Sequence, residues 1–78
     1  MPKLTIESAI EKIVEIGRFS SAFDLRTNSE IHEIGTEINQ RYGFSGMVQV
    51  CESAGSSLGG SALRMIEKNW SGIGNWRG

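Results

Sequence analysis

Apolar residues recur at helical spacing near the start of the chain. Between residues 6 and 19 the apolar positions fall in one continuous arc of a helical wheel: Ile6, Ala9, Ile10, Ile13, Val14, Ile16 and Gly17. Charged and polar side chains fill the rest of the wheel, which is typical of an amphipathic helix. Thr5 is a suitable N-cap. The pattern predicts a helix from Ile6 to Phe19 whose apolar face is buried, since isoleucines are mediocre helix formers.

The helical period is lost from Ser20 to Arg26. This stretch is predicted to be a connection that Phe19, Phe23 and Leu25 hold to the core.

A second helix is predicted to begin with the capping box Thr27-Asn28-Ser29-Glu30. Its apolar positions follow at helical spacing: Ile31, Ile34, Gly35, Ile38 and Tyr42. Glu37 and Arg41 form a favourable i, i+4 pair on the exposed face. Gly43 is predicted to end the helix as a left-handed C-cap.

Two further helices are predicted in the second half of the chain. The third begins near Phe44 or Ser45, and its apolar side carries Phe44, Met47, Val48, Cys51, Ala54 and Leu58. Gly46 and Gly55 weaken it, each by about 1 kcal/mol relative to alanine. Gly59-Gly60 ends it, and Ser61 is predicted to cap a fourth helix that reaches Asn69. The glycine-rich tail after Asn69 is expected to be ordered by docking its tryptophan rings.

These elements predict one all-α domain over residues 1–78, a small bundle or orthogonal array of about four helices with a Trp-containing C-terminal tail. No linker of useful length divides the chain. The predicted core comprises residues on the apolar arcs of the helices: Ile10, Ile13, Ile34, Ile38, Val48 and Ile66.

The composition of the chain bears on its ligands, its disulfides and its location in the cell. Its 78 residues carry a formal net charge of −1, so no global attraction to nucleic acid is expected. Cys51 is the only cysteine, which excludes an intramolecular disulfide. The beginning of the chain lacks the apolar run of a signal peptide, and no segment has the ~20 apolar residues of a membrane helix. We expect a cytoplasmic protein that is not bound to a membrane.

The residues that could support chemistry are few. Cys51 and His32 are the only thiol and imidazole, but Cys51 falls on the apolar side of its helix, where a structural role is expected. His32 with Glu33 and Glu37 resembles a fragment of a helical metal motif. The second histidine of a zinc site would stand where Thr36 is, so no metal site is expected. The sequence therefore predicts no catalytic residue, no metal and no cofactor.

Three surface features allow more than one interpretation. The segment Gly55–Ser61 could cradle a phosphate, but it lacks the P-loop lysine and favours an inter-helix hinge. The second helix, Gly43 and the third helix resemble a helix-turn-helix, yet the third helix has no Lys or Arg to contact DNA. Acidic residues at i, i+4 spacing could form a docking face for a basic partner, although a solvated face is commoner. These residues are Glu7, Glu11, Glu15, Glu30, Glu33 and Glu37.

The candidate interaction residues lie in the tail: Trp70, Ile73 and Trp76. A role in closing the core is an equally supported interpretation of these residues. The apolar arc of the first helix spans about 160° of the wheel, wider than the roughly 100° that a surface helix needs. We therefore predict a non-enzymatic module that acts through protein–protein contacts and forms a homodimer. A nucleic-acid-associated regulator is the alternative function.

Overall fold

Four helices form the part of the chain that the computed structural model describes, residues 4–19, 22–74 and 76, with residues 22–24 described by their backbone alone. Helix α1 spans Ile6–Phe19, α2 Ala22–Thr27, α3 Ser29–Leu58 and α4 Gly60–Asn69. No strand occurs in these residues. The predicted all-α fold is confirmed as a small helical bundle.

The first helix has the predicted bounds, and its cap is a reciprocal pair. The Ser8 amide donates to Thr5 Oγ1 at 3.0 Å, and the Thr5 amide donates to Ser8 Oγ at 2.9 Å. Ser8 thus takes the place that glutamate or glutamine has in a capping box. The prediction of Thr5 as the N-cap is confirmed.

The stretch predicted as a connection contains the short helix α2, so the prediction was wrong there. Because Thr27 is the last residue of α2, the N-cap of α3 is Asn28, whose Oδ1 accepts from the Ile31 amide at 2.9 Å. The predicted capping box was therefore one residue out of register. Leu25 is buried as predicted, whereas the side chain of Phe23 and residue Ser20 lie outside the described parts.

Helix α3 is broken at Gly43, where φ is 75° and ψ is −167°. This left-handed φ favours glycine, and it divides α3 into the segments 29–42 and 44–58. The prediction that a helix ends at Gly43 is confirmed, but the predicted left-handed C-cap is wrong, because a ψ of −167° lies far from the αL region. Helix α1 runs beside the second segment in the same direction, since a Cβ at Gly46 would lie 3.3 Å from Ile6 Cδ1 and one at Gly17 would meet Leu58.

The break before α4 is shorter than the inter-helix hinge that was predicted for the glycine-rich segment Gly55–Ser61. Residues 55–58 continue α3, and only Gly59, with φ 114°, lies between the two helices. Gly59 is also the N-cap of α4, without a side-chain cap bond, so the prediction of Ser61 as the cap was wrong. Helix α4 ends at Asn69, as predicted.

The core lies where α1, both segments of α3, and α4 meet. Of the predicted core residues, four are buried: Ile13, Ile34, Ile38 and Ile66. Ile10 and Val48 are only half-buried and pack against the edge of the core, which corrects the prediction for both. Their helices turn these two side chains toward surfaces that no other described element covers completely.

A buried asparagine, which the sequence analysis did not identify, connects three helices. Asn69 Nδ2 donates to the carbonyl oxygens of Leu25 at 2.7 Å and Asn28 at 2.9 Å. These carbonyls lie near the end of α2 and at the start of α3, so α4 holds both in place. Asn69 Oδ1 is buried and has no hydrogen-bond partner among the described residues.

Candidate interaction surfaces

The C-terminal tail docks on the helices through its large side chains. Trp70, Ile73 and Trp76 are all buried, and Trp70 has no exposed surface. Backbone bonds fold the tail back on itself: the Ile73 amide donates to Trp70 O at 3.0 Å and the Trp76 amide to Ile73 O at 2.9 Å. The expectation that the tryptophan rings order the tail agrees with this arrangement.

Both indole N–H groups are satisfied inside the chain. Trp70 Nε1 donates to Ile31 O and Trp76 Nε1 to Glu67 O, each at 2.8 Å. The two rings meet edge to face with centroids 5.3 Å apart, a favourable geometry for aromatic pairs.

This burial changes which surface a partner could reach. Trp70, Ile73 and Trp76 were the predicted interaction residues, and in the single chain they contribute to the core. Their role in an interface stays a prediction, limited to the small parts of Ile73 and Trp76 that remain accessible.

That part of Trp76 lies in a groove between the second segment of α3 and α4. The groove has a volume of about 220 Å³ and is lined by Phe44, Val48, Cys51, Glu52, Leu63, Glu67 and Trp76. We call it the Trp76 groove. Phe44 is 45% exposed and stacks at a tilt on Trp76, with ring centroids 5.7 Å apart. The sequence analysis did not predict the groove, because it needs residues that α3, α4 and the tail bring together.

The charge of the groove is negative. Cys51 is only 2% exposed, and burial raises the pKa of its thiol from 9.0 to about 12, with Glu67 and Glu52 contributing further to the increase. No lining residue of the groove is basic. Because the thiolate is the nucleophile, this setting makes Cys51 a poor one.

We expect native Cys51 to react slowly with iodoacetamide. Burial raises the pKa of the Cys51 thiol to about 12, so the native chain holds far less thiolate at neutral pH than the unfolded chain. The native labelling rate should keep rising with pH above 9, whereas the rate in urea should level off near pH 9. Mass spectrometry of timed samples measures both rates, and the urea-unfolded chain is the control. Equal native and unfolded rates at pH 8 would contradict the assigned burial.

His32 lies away from the Trp76 groove. Its side chain is exposed on α3, and Nδ1 is 2.9 Å from the carbonyl oxygen of Asn69 at the end of α4. The structure therefore does not bring His32 and Cys51 to one site. Across the described residues, no group of three or more His, Cys, Asp or Glu side chains could hold a metal ion.

A second apolar surface follows the outer edge of α1. Ile10 and Val14 are half-buried, and Phe19 at the end of the helix is 86% exposed. Glu11, Glu15, Arg18 and Ser57 border the same surface, so its charged side chains are of both signs. We call Ile10, Val14 and Phe19 the α1 edge. The prediction that Phe19 is tied to the core was wrong, because the helix ends with this side chain pointing away from it.

The acidic residues of the two predicted stripes lie at the surface. Glu7, Glu11, Glu15, Glu30 and Glu33 are exposed, and Glu37 is half-buried. Glu37 Oε1 is 3.8 Å from Arg41 Nη2, the predicted i, i+4 pair. An exposed pair of this kind contributes little to stability.

The glycine-rich segment uses its backbone groups internally. The Gly59 amide donates to Gly55 O at 2.7 Å, and Gly59 O accepts from the Leu63 amide at 3.1 Å.

On the second segment of α3, the exposed side chains include Ser45, Gln49 and Ser53.

The described helices include none that is long and apolar enough to cross a membrane.

No family model matches the chain, and no curated protein or solved structure is significantly similar to it.

Proposed function

We propose that the chain is a non-enzymatic helical module of the cytosol that acts through protein–protein contacts and forms a homodimer. The observation that carries the proposal is the α1 edge, where Phe19 exposes 86% of its surface beside two half-buried aliphatic side chains. Fully burying a phenylalanine side chain stabilises a protein by about 1.5–3 kcal/mol. Burial of Phe19 in an interface at this edge would offset part of the entropic cost of association.

A second copy of the chain is the simplest partner. A two-fold interface uses the same surface on both subunits, so a single exposed apolar surface is enough to form it. The chain is small, and a domain of this size has a core that rarely supplies more than about 3–5 kcal/mol. Dimerisation would add apolar burial that the single chain lacks, with the accessible part of Trp76 near the contact.

The alternative function, a nucleic-acid-associated regulator, needs a basic surface. The segment that would be its recognition helix, residues 44–58, exposes Gln49, Glu52 and serines. Phosphate contacts are made mainly by Lys and Arg. We therefore favour the protein-contact module over this alternative.

We expect the full chain to elute as a dimer with twice its 8.5 kDa mass in size exclusion with multi-angle light scattering. The mass should fall toward that of the monomer on dilution into the low micromolar range, because mass action governs a small interface. A mass of 8.5 kDa from low micromolar to near-millimolar concentration would overturn the proposed homodimer.

A further inference from the structure

The side chains that line the Trp76 groove offer strong hydrogen-bond acceptors and no free donor except the weak thiol of Cys51. Among the lining residues that the structure describes, Glu52 and Glu67 carry carboxylates and none is basic. The indole N–H of Trp76 is already used, since it donates to Glu67 O at 2.8 Å. We propose that the groove binds an arginine side chain of a partner protein. Such binding rests on the proposed role in protein–protein contacts and does not require the homodimer.

Two helices bring the carboxylates to this groove. Glu52 lies on the second segment of α3 and Glu67 on α4, and both side chains are exposed. The pKa of the Cys51 thiol is raised first by burial and then by Glu67 and Glu52, so both charges act on the floor of the groove. A guanidinium presents a planar fork of N–H donors and has no acceptor, which suits a groove whose strong polar groups are all acceptors. An anionic side chain would be repelled there.

The apolar lining favours arginine over lysine. Phe44 is 45% exposed, and its ring centroid lies 5.7 Å from that of Trp76. Guanidinium groups pack on aromatic faces more often than ammonium groups do, and they are more weakly hydrated. An arginine therefore loses less hydration on entering a partly apolar groove. The half-buried Val48 and Leu63 offer contacts for the aliphatic part of its side chain.

The size of the groove suits a single side chain. Its volume is about 220 Å³, whereas an apolar cavity of about 150 Å³ holds benzene, and an arginine side chain is slightly larger than benzene. A whole helix is about 10–12 Å wide and does not fit into this volume. The partner therefore inserts one side chain, and the rest of its contacts lie at the mouth of the groove.

A free cation would be held too weakly to be the natural occupant. Ion pairs and cation–π contacts at exposed sites each contribute little, and both carboxylates of the groove are exposed. Phe44 extends the apolar lining out of the groove, because almost half of its surface is accessible. An apolar residue next to the inserted arginine can pack on Phe44. We therefore expect the groove to recognise an arginine that is flanked by apolar residues in a protein segment.

Heteronuclear NMR of the labelled full chain tests this binding. The probe is the capped peptide acetyl-Gly-Leu-Arg-Leu-Gly-amide. It should shift the indole N–H of Trp76 and the amides of Phe44 and Leu63 in a saturable manner. A peptide with glutamine in place of arginine should bind about fivefold more weakly, because it lacks the ion pair and the cation–π contact. A peptide with glutamate at that position should not bind.

Matched substitutions test the two carboxylates. Glu52→Gln and Glu67→Gln should each weaken binding of the arginine peptide several-fold. Glu33→Gln is the control, since it removes the same charge from an exposed side chain outside the groove, and binding should be unchanged. The double variant Glu52→Lys with Glu67→Lys should lose the arginine peptide and bind the glutamate peptide. Circular dichroism checks that each variant is folded.

Several results would overturn the proposal. They are the absence of a saturable shift in the groove, equal binding of the arginine and glutamine peptides, and equal losses with Glu33→Gln and Glu67→Gln. Binding of acetyl-arginine amide as tightly as the peptide would also overturn it, in favour of a site for a free cation.

A failure of the homodimer is distinguishable from a failure of the groove. Phe19→Ser removes the most exposed side chain of the α1 edge and should leave peptide binding unchanged, because Phe19 does not line the groove. Loss of peptide binding in this variant would overturn the assignment to the groove. A chain that is monomeric in light scattering but binds the arginine peptide would overturn the homodimer alone and support the proposed contact.

Discussion

Gly35→Ala is expected to lower the free energy of unfolding by about 3 kcal/mol, since overpacking a core costs typically 1–3 kcal/mol and sometimes more. Gly35 is buried in α3, directly beneath the indole of Trp70. A Cβ at this position would lie 2.6 Å from both Cδ1 and Cε2 of that ring. The ring cannot withdraw without breaking its hydrogen bond to Ile31 O and its contact with Trp76.

Urea unfolding followed by circular dichroism measures this loss. Gly60→Ala is the matched control, because Gly60 begins α4 and a Cβ there would meet nothing within 4 Å. The higher helix propensity of alanine should leave that variant unchanged or more stable by up to about 1 kcal/mol. Equal stability of the two variants would show that Trp70 does not pack against Gly35 as described.

The helices could be predicted because local patterns determine them. The apolar arc of α1 is continuous, and Thr5 caps it, so sequence alone predicts both of its ends. Gly43 could be predicted as a break, since a glycine after a helical pattern is typical of a left-handed C-cap. Local patterns were less informative at α2, which has only six residues and therefore little periodicity to detect.

Contacts between distant residues account for what could not be predicted. Asn69 follows the polar pattern at the end of α4, and nothing near it in sequence shows that its amide reaches Leu25 and Asn28. The same holds for Gly35, which becomes essential only because Trp70, 35 residues away, lies against it. Such roles depend on how the helices pack against one another. The periodicity of apolar residues predicts only which face of each helix is buried.

The candidate surfaces could be predicted only in part, because they too depend on contacts between residues that are distant in sequence. The wide arc of α1 predicted an apolar surface left over after folding, and the half-buried Ile10 and Val14 lie on it. The tryptophans of the tail could not be assigned to core or interface, because their burial depends on whether the tail folds back. The Trp76 groove combines residues from α3, α4 and the tail, which no single stretch of sequence contains.

Trp70→Ala is expected to prevent cooperative folding. Removing a large aromatic side chain from a core costs about 3–5 kcal/mol. The whole core of a chain this small rarely supplies more stability than that. Trp70 is fully buried, so no solvent-exposed part reduces the loss. Loss of the cooperative urea transition in circular dichroism is the expected result, and a folded variant with an unchanged urea midpoint would contradict it.

Trp70→Phe keeps a ring in the core and removes only the indole N–H and part of the volume, so this variant should fold with a loss of about 1–3 kcal/mol. Trp76→Phe is its matched control: it also loses one hydrogen bond, to Glu67 O, but Trp76 is 8% exposed and should cost less.

The packing of Trp70 on Gly35 also predicts that the two changes are coupled. In the Trp70→Phe background the smaller ring has no hydrogen bond to hold it, so it can withdraw from a Cβ at position 35. Gly35→Ala should then cost far less than in the wild-type chain, which gives a coupling free energy of about 1–3 kcal/mol between these positions. Four urea unfolding curves close the cycle. Strict additivity would mean that Gly35→Ala destabilises the helix for a reason other than the indole.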